Sequence, residues 1–188
     1  EVGDARFDFS AVVPAANALF DQMGVERIPL IVAGGINSPA KVRELLALGA
    51  AGVQLGTPFA VTAESDAHPE FKRVLAEAHA EDIVTFMSVA GLPARAVRTP
   101  WLARYLDKEA QLLARAKKRR ECTLGWDCLA HCGLRDGSDR MGQFCIDHHL
   151  AAALRGDVDR GLFFRGSEPV PFGAEIRPVR ELVRLLLD

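Results

Sequence analysis

The stretch IPLIVAGGINSPAKVRELLALGAAGVQLGT, residues 28–57, decides the predicted fold. It holds two short apolar runs, residues 28–33 and residues 52–55, and each is typical of a strand buried on both faces. Between them, Ser38 and Pro39 mark a helix start as N-cap and first helical residue. This order is one β-α-β unit with short loops, the repeat of a parallel sheet.

The remainder of the chain predicts mainly helices, so the two strands need partner strands from elsewhere to cover both faces of a sheet. The predicted helices are residues 12–22, 68–79, 101–116, 143–154 and 178–187. Residues 82–89 are predicted to be extended, and residues 91–95 are predicted to form a loop.

The ends of the two strands carry the candidate binding residues, Gly34 and Gly35 after the first and Gly56 and Thr57 after the second. Glycine lets backbone N–H groups approach a ligand closely, and a helix that begins at such a turn favours an anion. Either turn alone is more often a simple chain reversal. The pair, however, matches the phosphate site that (β/α)8 barrels build after their seventh and eighth strands, which predicts phosphate binding.

Residues 28–36 and 48–59 resemble the FMN-phosphate region of nitronate monooxygenases, and the resemblance extends over most of the chain. The other matching segments are residues 62–65, 91–98, 144–146, 156–157 and 161–167. The two glycine turns alone are less specific, because IMP dehydrogenases and other phosphate-binding barrels share them. The resemblance implies an α/β fold: the C-terminal part of a (β/α)8 TIM barrel, its last two strands, within residues 1–90, and a mainly helical C-terminal extension packing on it, residues 91–188.

The resemblance also implies FMN as a non-covalently bound cofactor. The cofactor-binding positions carried over from the family are Ala33, Gly34, Gly35, Gln54, Gly56, Thr57, Gly166 and Ser167. Backbone amides of the two turns would hold the FMN phosphate, with the Thr57 hydroxyl as an extra donor. Ala33 and Gln54 would line the flavin side, and Gly166 and Ser167 would approach the isoalloxazine.

Two departures from the family pattern bear on catalysis. The family's catalytic histidine belongs to a Gly-Gly-His loop after the sixth strand, and residues 1–6, near that place, contain no histidine. The first six strands of the barrel are also absent from the chain. The catalytic residue is therefore left unknown, and the N-terminal half of the barrel, from missing residues or a companion chain, is an expected partner.

Composition narrows the remaining classes of partner. The formal net charge is −2 and no apolar run approaches the roughly 20 residues that span a bilayer, so neither nucleic acid nor a membrane is expected. Four cysteines are too few for a secreted disulfide scaffold, which favours the cytoplasm. A small-molecule substrate is expected, and a homo-oligomer is compatible with the sequence.

The cysteines Cys122, Cys128, Cys132 and Cys145 are separated by five, three and twelve residues. The last two intervals resemble part of a [4Fe–4S] motif in other flavin barrels, and thiolates suit both zinc and iron–sulfur centres. Buried packing is the commoner role of a free cysteine. The sequence therefore favours packing roles for these four cysteines, and a metal or cluster site is the weaker alternative.

Three functions remain open. The first is an FMN-dependent oxidoreductase of the nitronate monooxygenase type, to which this chain supplies the phosphate-binding turns. The second is an FMN-dependent enoyl or quinone reductase, or an IMP dehydrogenase-like barrel, which would use the same turns. The third is a non-catalytic half-barrel that acts as a binding partner.

Overall fold

A computed structural model, which describes residues 4–116, 122 and 128–187, contains the predicted β-α-β unit. In chain order its helices and strands are α1 (Phe9–Met23), β1 (Ile31–Ala33), α2 (Pro39–Ala47), β2 (Gly52–Gln54), α3 (Thr57–Ala60), α4 (Pro69–Glu77), β3 (Ile83–Met87), β4 (Pro93–Val97), α5 (Pro100–Ala116), α6 (Gly133–Asp136), α7 (Ile146–Leu154) and α8 (Val179–Leu187). Glu1–Ser65 and Glu168–Asp188 form one compact unit, and Asp66–Ser167 form a second.

The helix between the two strands begins as the sequence predicts. Pro39 is the first residue of α2, and the Ser38 Oγ accepts a hydrogen bond from the Lys41 N–H at 3.3 Å. A serine acceptor at the N-cap satisfies one of the backbone donors that the first turn of a helix leaves unpaired. β1 precedes this helix in the chain and β2 follows it, and the two strands pair in parallel, which confirms the predicted β-α-β unit.

The helix before the unit also confirms its prediction, with one correction. α1 ends at Gly24, whose φ of 64° is the left-handed conformation typical of a helix C-terminus. Pro14 lies in the helix interior, because α1 begins at Phe9 and not at the predicted residue 12. An interior proline removes one backbone hydrogen bond from the helix.

The prediction that both strands are buried on both faces is wrong for the described residues. Val32 is buried against α1 and α2 in the core of the first unit. The buried residues of this core are Val13, Val32, Ile36, Leu45 and Ala50. The opposite face of β1 is bare, since Ile31 is 59% exposed. Ile28, just before the strand, is 63% exposed. None of the described residues covers this second face.

The second unit is built around an antiparallel hairpin that the sequence did not predict. β3 pairs with β4, so residues 93–95 are a strand and not the end of a loop. The hairpin packs its inward face with α5 and with residues near the start of α7. Its core includes Phe86, Leu102, Tyr105, Phe144 and Leu162.

The two compact units differ from the predicted boundary at residue 90. A cut there would separate β3 from β4, which are hydrogen-bonded along their whole length. At the other end, Glu168–Asp188 return to the first unit, where α8 packs against α2 and α3. The C-terminal extension is therefore divided between both units.

None of the helices that the structure describes is long and apolar enough to cross a membrane.

Leu45 and Leu46 offer a matched test of this core, since they are adjacent in α2 and differ in burial. Leu45 is fully buried, whereas Leu46 is 45% exposed. We expect Leu45→Ala to lower the free energy of unfolding by about 2–5 kcal/mol, because it leaves a cavity in the core. Leu46→Ala should cost no more than about 0.5 kcal/mol. Chemical denaturation measures both, and equal losses would contradict the assignment of the α2 face.

Candidate functional site

The register of the two strands places the predicted glycine turns next to each other. Ala33 lies opposite Gln54 in the parallel pair. Gly35 follows Ala33 by two residues, and Gly56 follows Gln54 by two residues. Because neighbouring strands lie about 5 Å apart, both turns meet at the same end of the sheet, the carboxyl end of its strands. The sequence-predicted residues of the two turns are thus brought together.

The first turn has a backbone that only glycine adopts readily. Gly34 has a φ of 106° and Gly35 a φ of 65°, two positive values in succession. A side chain at either position would be strained whatever space surrounds it. A Cβ on Gly34 would meet no atom within 4 Å, so space is not what requires glycine there. Backbone shape is the reason for this pair.

The fold itself does not require glycine in the second turn. Gly56 has a φ of −111°, which other residues can adopt, and a Cβ there would also meet no atom within 4 Å. Nothing in the described part of the chain therefore excludes a side chain at Gly56. An open, conformationally permissive glycine at this place is consistent with a ligand that comes close to the backbone.

The backbone donors of the turns are available. Among residues 4–116, 122 and 128–187, no carbonyl or side chain accepts a hydrogen bond from the N–H groups of Gly35, Gly56 or Thr57. Unpaired N–H groups that converge at a turn form a concave site suited to an anion. The helices contribute less than the sequence suggested, because α3 is only four residues long and α2 begins four residues after Gly35.

Ala33 and Gln54 share the bare face of the strand pair. Paired residues of neighbouring strands point to the same side of a sheet, and both of these residues are exposed. Ile31 lies on this face as well, two residues before Ala33. The prediction that Ala33 and Gln54 face a common space beside the turns therefore agrees with the geometry of the strands.

Sequence reasoning missed the part that the C-terminal segment takes in the site. A Cβ on Gly35 would lie 3.3 Å from the Cγ of Glu168. The Asn37 side-chain amide donates to the carbonyl of Pro169 at 3.1 Å. These contacts hold the start of the segment against the first turn. No local pattern in the sequence predicts these contacts, because the partners are more than 130 positions apart.

The same segment is fixed a second time beyond the second turn. The Val179 N–H, at the first residue of α8, donates to the Glu64 Oε2 at 2.8 Å. The Ala63 N–H donates to the Arg177 carbonyl at 3.0 Å. Glu64 thus acts as the acceptor for an otherwise unpaired donor at the start of α8. The Thr62–Ser65 match in the sequence was a signal for this position, although not for its role.

Gly166 and Ser167 belong to the second unit, and their proximity to a flavin stays a prediction. Gly166 is exposed and a Cβ there would meet no atom within 4 Å. Its neighbour Arg165 is buried, and the Arg165 guanidinium donates to the carbonyl of Ala78. The segment just before Gly166 is therefore held firmly within its own unit.

The four cysteines differ in environment. Cys132 is buried in the core of the second unit, Cys145 is half-buried at the N-cap of α7, and Cys128 is exposed. Across the described residues, which include all four cysteines, no three His, Cys, Asp or Glu side chains are grouped so that they could hold a metal ion.

Comparison with known proteins agrees with the resemblance seen in the sequence. A family model described as nitronate monooxygenase matches residues 4–188. A protein of Bacillus subtilis (strain 168) named probable nitronate monooxygenase is 34% identical over 112 residues, which are 59% of this chain and 30% of that protein.

Two solved structures are similar over 95% of the chain. FabK from Thermotoga maritima matches with a TM-score of 0.60 and 26% identity, and the match covers 47% of the FabK chain. Nitroalkane oxidase from Streptomyces ansochromogenes matches with a TM-score of 0.55 and 23% identity over 42% of that chain, a likeness of fold alone. The chain thus spans less than half the length of each of these three proteins.

Glu64 provides a test of how the C-terminal segment is fixed. Glu64→Ala removes the acceptor for the Val179 N–H, and we expect a local loss of about 0.5–2 kcal/mol in the stability of α8, as for other helix N-caps. Amide hydrogen exchange of residues 179–187 should accelerate accordingly. Glu64→Gln keeps an acceptor oxygen and serves as the control. Unchanged exchange in Glu64→Ala would contradict the role assigned to this residue.

Proposed function

This chain belongs to the nitronate monooxygenase family, and we propose that it supplies the FMN-phosphate-binding turns of an FMN-dependent oxidoreductase of the nitronate monooxygenase type. One observation carries the proposal. Two glycine turns lie side by side at the carboxyl end of a parallel strand pair, and their N–H groups at Gly35, Gly56 and Thr57 donate to no acceptor in the described part of the chain. This is the place where barrels of this kind bind phosphate.

The residues of the turns fit a phosphate group. A dianionic phosphate needs several donors, and the turns offer three backbone N–H groups together with the Thr57 hydroxyl. The space above Gly34 and Gly56 is open, since a Cβ on either would meet no atom within 4 Å. Phosphate oxygens could therefore approach the backbone without displacing a side chain.

The bare face of the strands fits the remainder of the cofactor. Ala33 and Gln54 point into the same space, and the Gln54 amide can donate and accept hydrogen bonds there. In this proposal Ala33 leaves room for the flavin and Gln54 orients it, and Gly166 and Ser167 are assigned to the isoalloxazine. Those last two contacts are carried by the family resemblance alone.

The chemistry would be an electron transfer. When bound, FMN supplies the redox centre that takes electrons from an alkyl nitronate in the presence of O2. This chain's own residues bind the phosphate and orient the cofactor. None of the residues described at the turns is assigned as a proton acceptor, and the catalytic base stays unassigned.

The exposed face of β1 and β2 supports a shared barrel, that is, one to which this chain supplies only two of the eight strands. Ile28 and Ile31 expose more than half of their surface, and β1 and β2 form a sheet of only two strands among the described residues. An apolar, unpaired sheet of this size is not stable in water. We infer that six further strands, from preceding residues or a companion chain, complete a (β/α)8 TIM barrel over this face.

The second candidate is an FMN-dependent enoyl or quinone reductase, because the same turns would serve it equally. The substrates that the assembled enzyme consumes distinguish the two functions. A nitronate monooxygenase consumes O2 with an alkyl nitronate and no pyridine nucleotide, whereas a reductase consumes NAD(P)H with an enoyl or quinone acceptor. A non-catalytic half-barrel would show neither reaction in the assembled protein.

Gly56→Val is the sharpest test of the phosphate site. Gly56 has a negative φ and open surroundings, so the fold tolerates a side chain at this position. The valine side chain would, however, occupy the proposed phosphate position. We expect FMN affinity to fall by about 1–3 kcal/mol, the scale of a lost charge-assisted hydrogen bond. Thr57→Val should cost less, because the amides remain. Fluorescence titration with FMN measures each, and wild-type affinity in Gly56→Val would place the phosphate elsewhere.

The shared barrel has its own test. Residues 1–188 produced alone should be poorly soluble or should associate, because the face around Ile31 stays uncovered. Co-production with the N-terminal half of a family barrel should yield a soluble complex. A monomer of residues 1–188 that unfolds cooperatively, with the same stability in the presence and absence of the other half, would refute this part of the proposal.

A further inference from the structure

The second unit contains a cleft that the flavin site does not use. Its volume is about 720 Å³, within the range of roughly 300–1,000 Å³ that small-molecule sites occupy. Its walls come mainly from α5 and α7. The lining residues that matter for its chemistry are Trp101, Arg104, Tyr105, Lys108, His148 and His149.

One side of the cleft is cationic. Arg104 and Lys108 are four residues apart in α5, so both side chains project from the same face of the helix. An Arg104 Nη2 hydrogen bond to the Asp159 carbonyl, 2.5 Å long, orients the guanidinium. This bond leaves the positive charge uncompensated, because a carbonyl oxygen carries no formal charge.

No carboxylate neutralises these two cations in the described residues. Neither Arg104 nor Lys108 has an acidic oxygen within 4.0 Å there, and no acidic residue is among those that line the cleft. Two cations one helical turn apart in a concave surface attract an anion more strongly than isolated surface charges do.

The cleft is also lined by aromatic, uncharged side chains, among them Trp101 and His149. The His149 Nδ1 lies 2.7 Å from the Arg160 carbonyl, which can only accept, so Nδ1 carries the proton and Nε2 is an acceptor. Burial lowers the pKa of His149, which keeps the ring neutral near pH 7. The ring packs on Trp101 with a centroid distance of 3.9 Å. This wall offers apolar ring surface and one hydrogen-bond acceptor.

We infer that this cleft binds a phosphate-bearing small molecule of nucleotide size, with its phosphate on Arg104 and Lys108 and its uncharged part against the Trp101–His149 wall. The two cations match an anion, and the neutral wall matches a ring or sugar that can donate a hydrogen bond to His149. The site is separate in sequence and in its residues from the glycine turns. It therefore stands whether or not those turns bind FMN.

Isothermal titration calorimetry of the purified protein tests the inference with three probes: ADP, inorganic pyrophosphate and adenosine. We expect ADP to bind, pyrophosphate to compete with it, and adenosine to bind at least about fivefold more weakly, because it lacks the charged group. Absence of ADP binding, or equal affinity for ADP and adenosine, would overturn the inference.

Variants locate the binding in the cleft. Lys108→Gln should weaken ADP binding roughly fivefold or more, the scale of one partly exposed charge-assisted hydrogen bond, and Arg104→Gln should do the same. Lys108→Gln breaks no hydrogen bond within the described chain, so its melting temperature should equal that of the wild type. Arg155→Gln, an exposed cation outside the cleft, is the matched control.

Gly56→Val separates this site from the flavin site, because it should leave ADP affinity unchanged. Loss of ADP binding in Gly56→Val together with normal binding in Lys108→Gln would overturn the inference, since it would assign the nucleotide to the glycine turns.

Discussion

The parallel pairing of Ile31–Ala33 with Gly52–Gln54 is the constraint on which the site depends. It sets the register, and the register brings two turns that are 21 residues apart in sequence to one end of the sheet. A shift by one residue would move Ala33 and Gln54 to opposite faces and separate the turns. The three-residue strands form few hydrogen bonds, so the packing of Val32 with Val13 of α1 and Leu45 of α2 maintains the pairing.

Local signals in the sequence were sufficient for the elements around this pair. Ser38 and Pro39 predicted the start of α2, because caps depend on neighbouring residues. The family resemblance is confirmed by the family model over residues 4–188. The two glycine turns could be predicted for the same reason, since strand ends and turn residues are adjacent in the chain.

Features that depend on distant residues could not be predicted. The hairpin of β3 and β4 was missed because residues 91–95 contain Gly and Pro, which favour a loop when they are considered alone. The return of Glu168–Asp188 to the first unit rests on contacts such as that between Asn37 and Pro169, which no local pattern encodes. Apolar residues 28–33 predicted burial on both faces, whereas Ile28 and Ile31 are exposed among the described residues, because burial depends on what packs on a face and not on its composition.

Phosphate recognition by backbone amides is the central claim, and a comparison of FMN with riboflavin tests it most directly. The two molecules share the isoalloxazine and differ only in the phosphate. Titration of the flavin-free protein, assembled with its N-terminal half, should show FMN binding at least about tenfold more tightly, because several charge-assisted hydrogen bonds depend on the phosphate. Equal affinity for FMN and riboflavin would contradict the account.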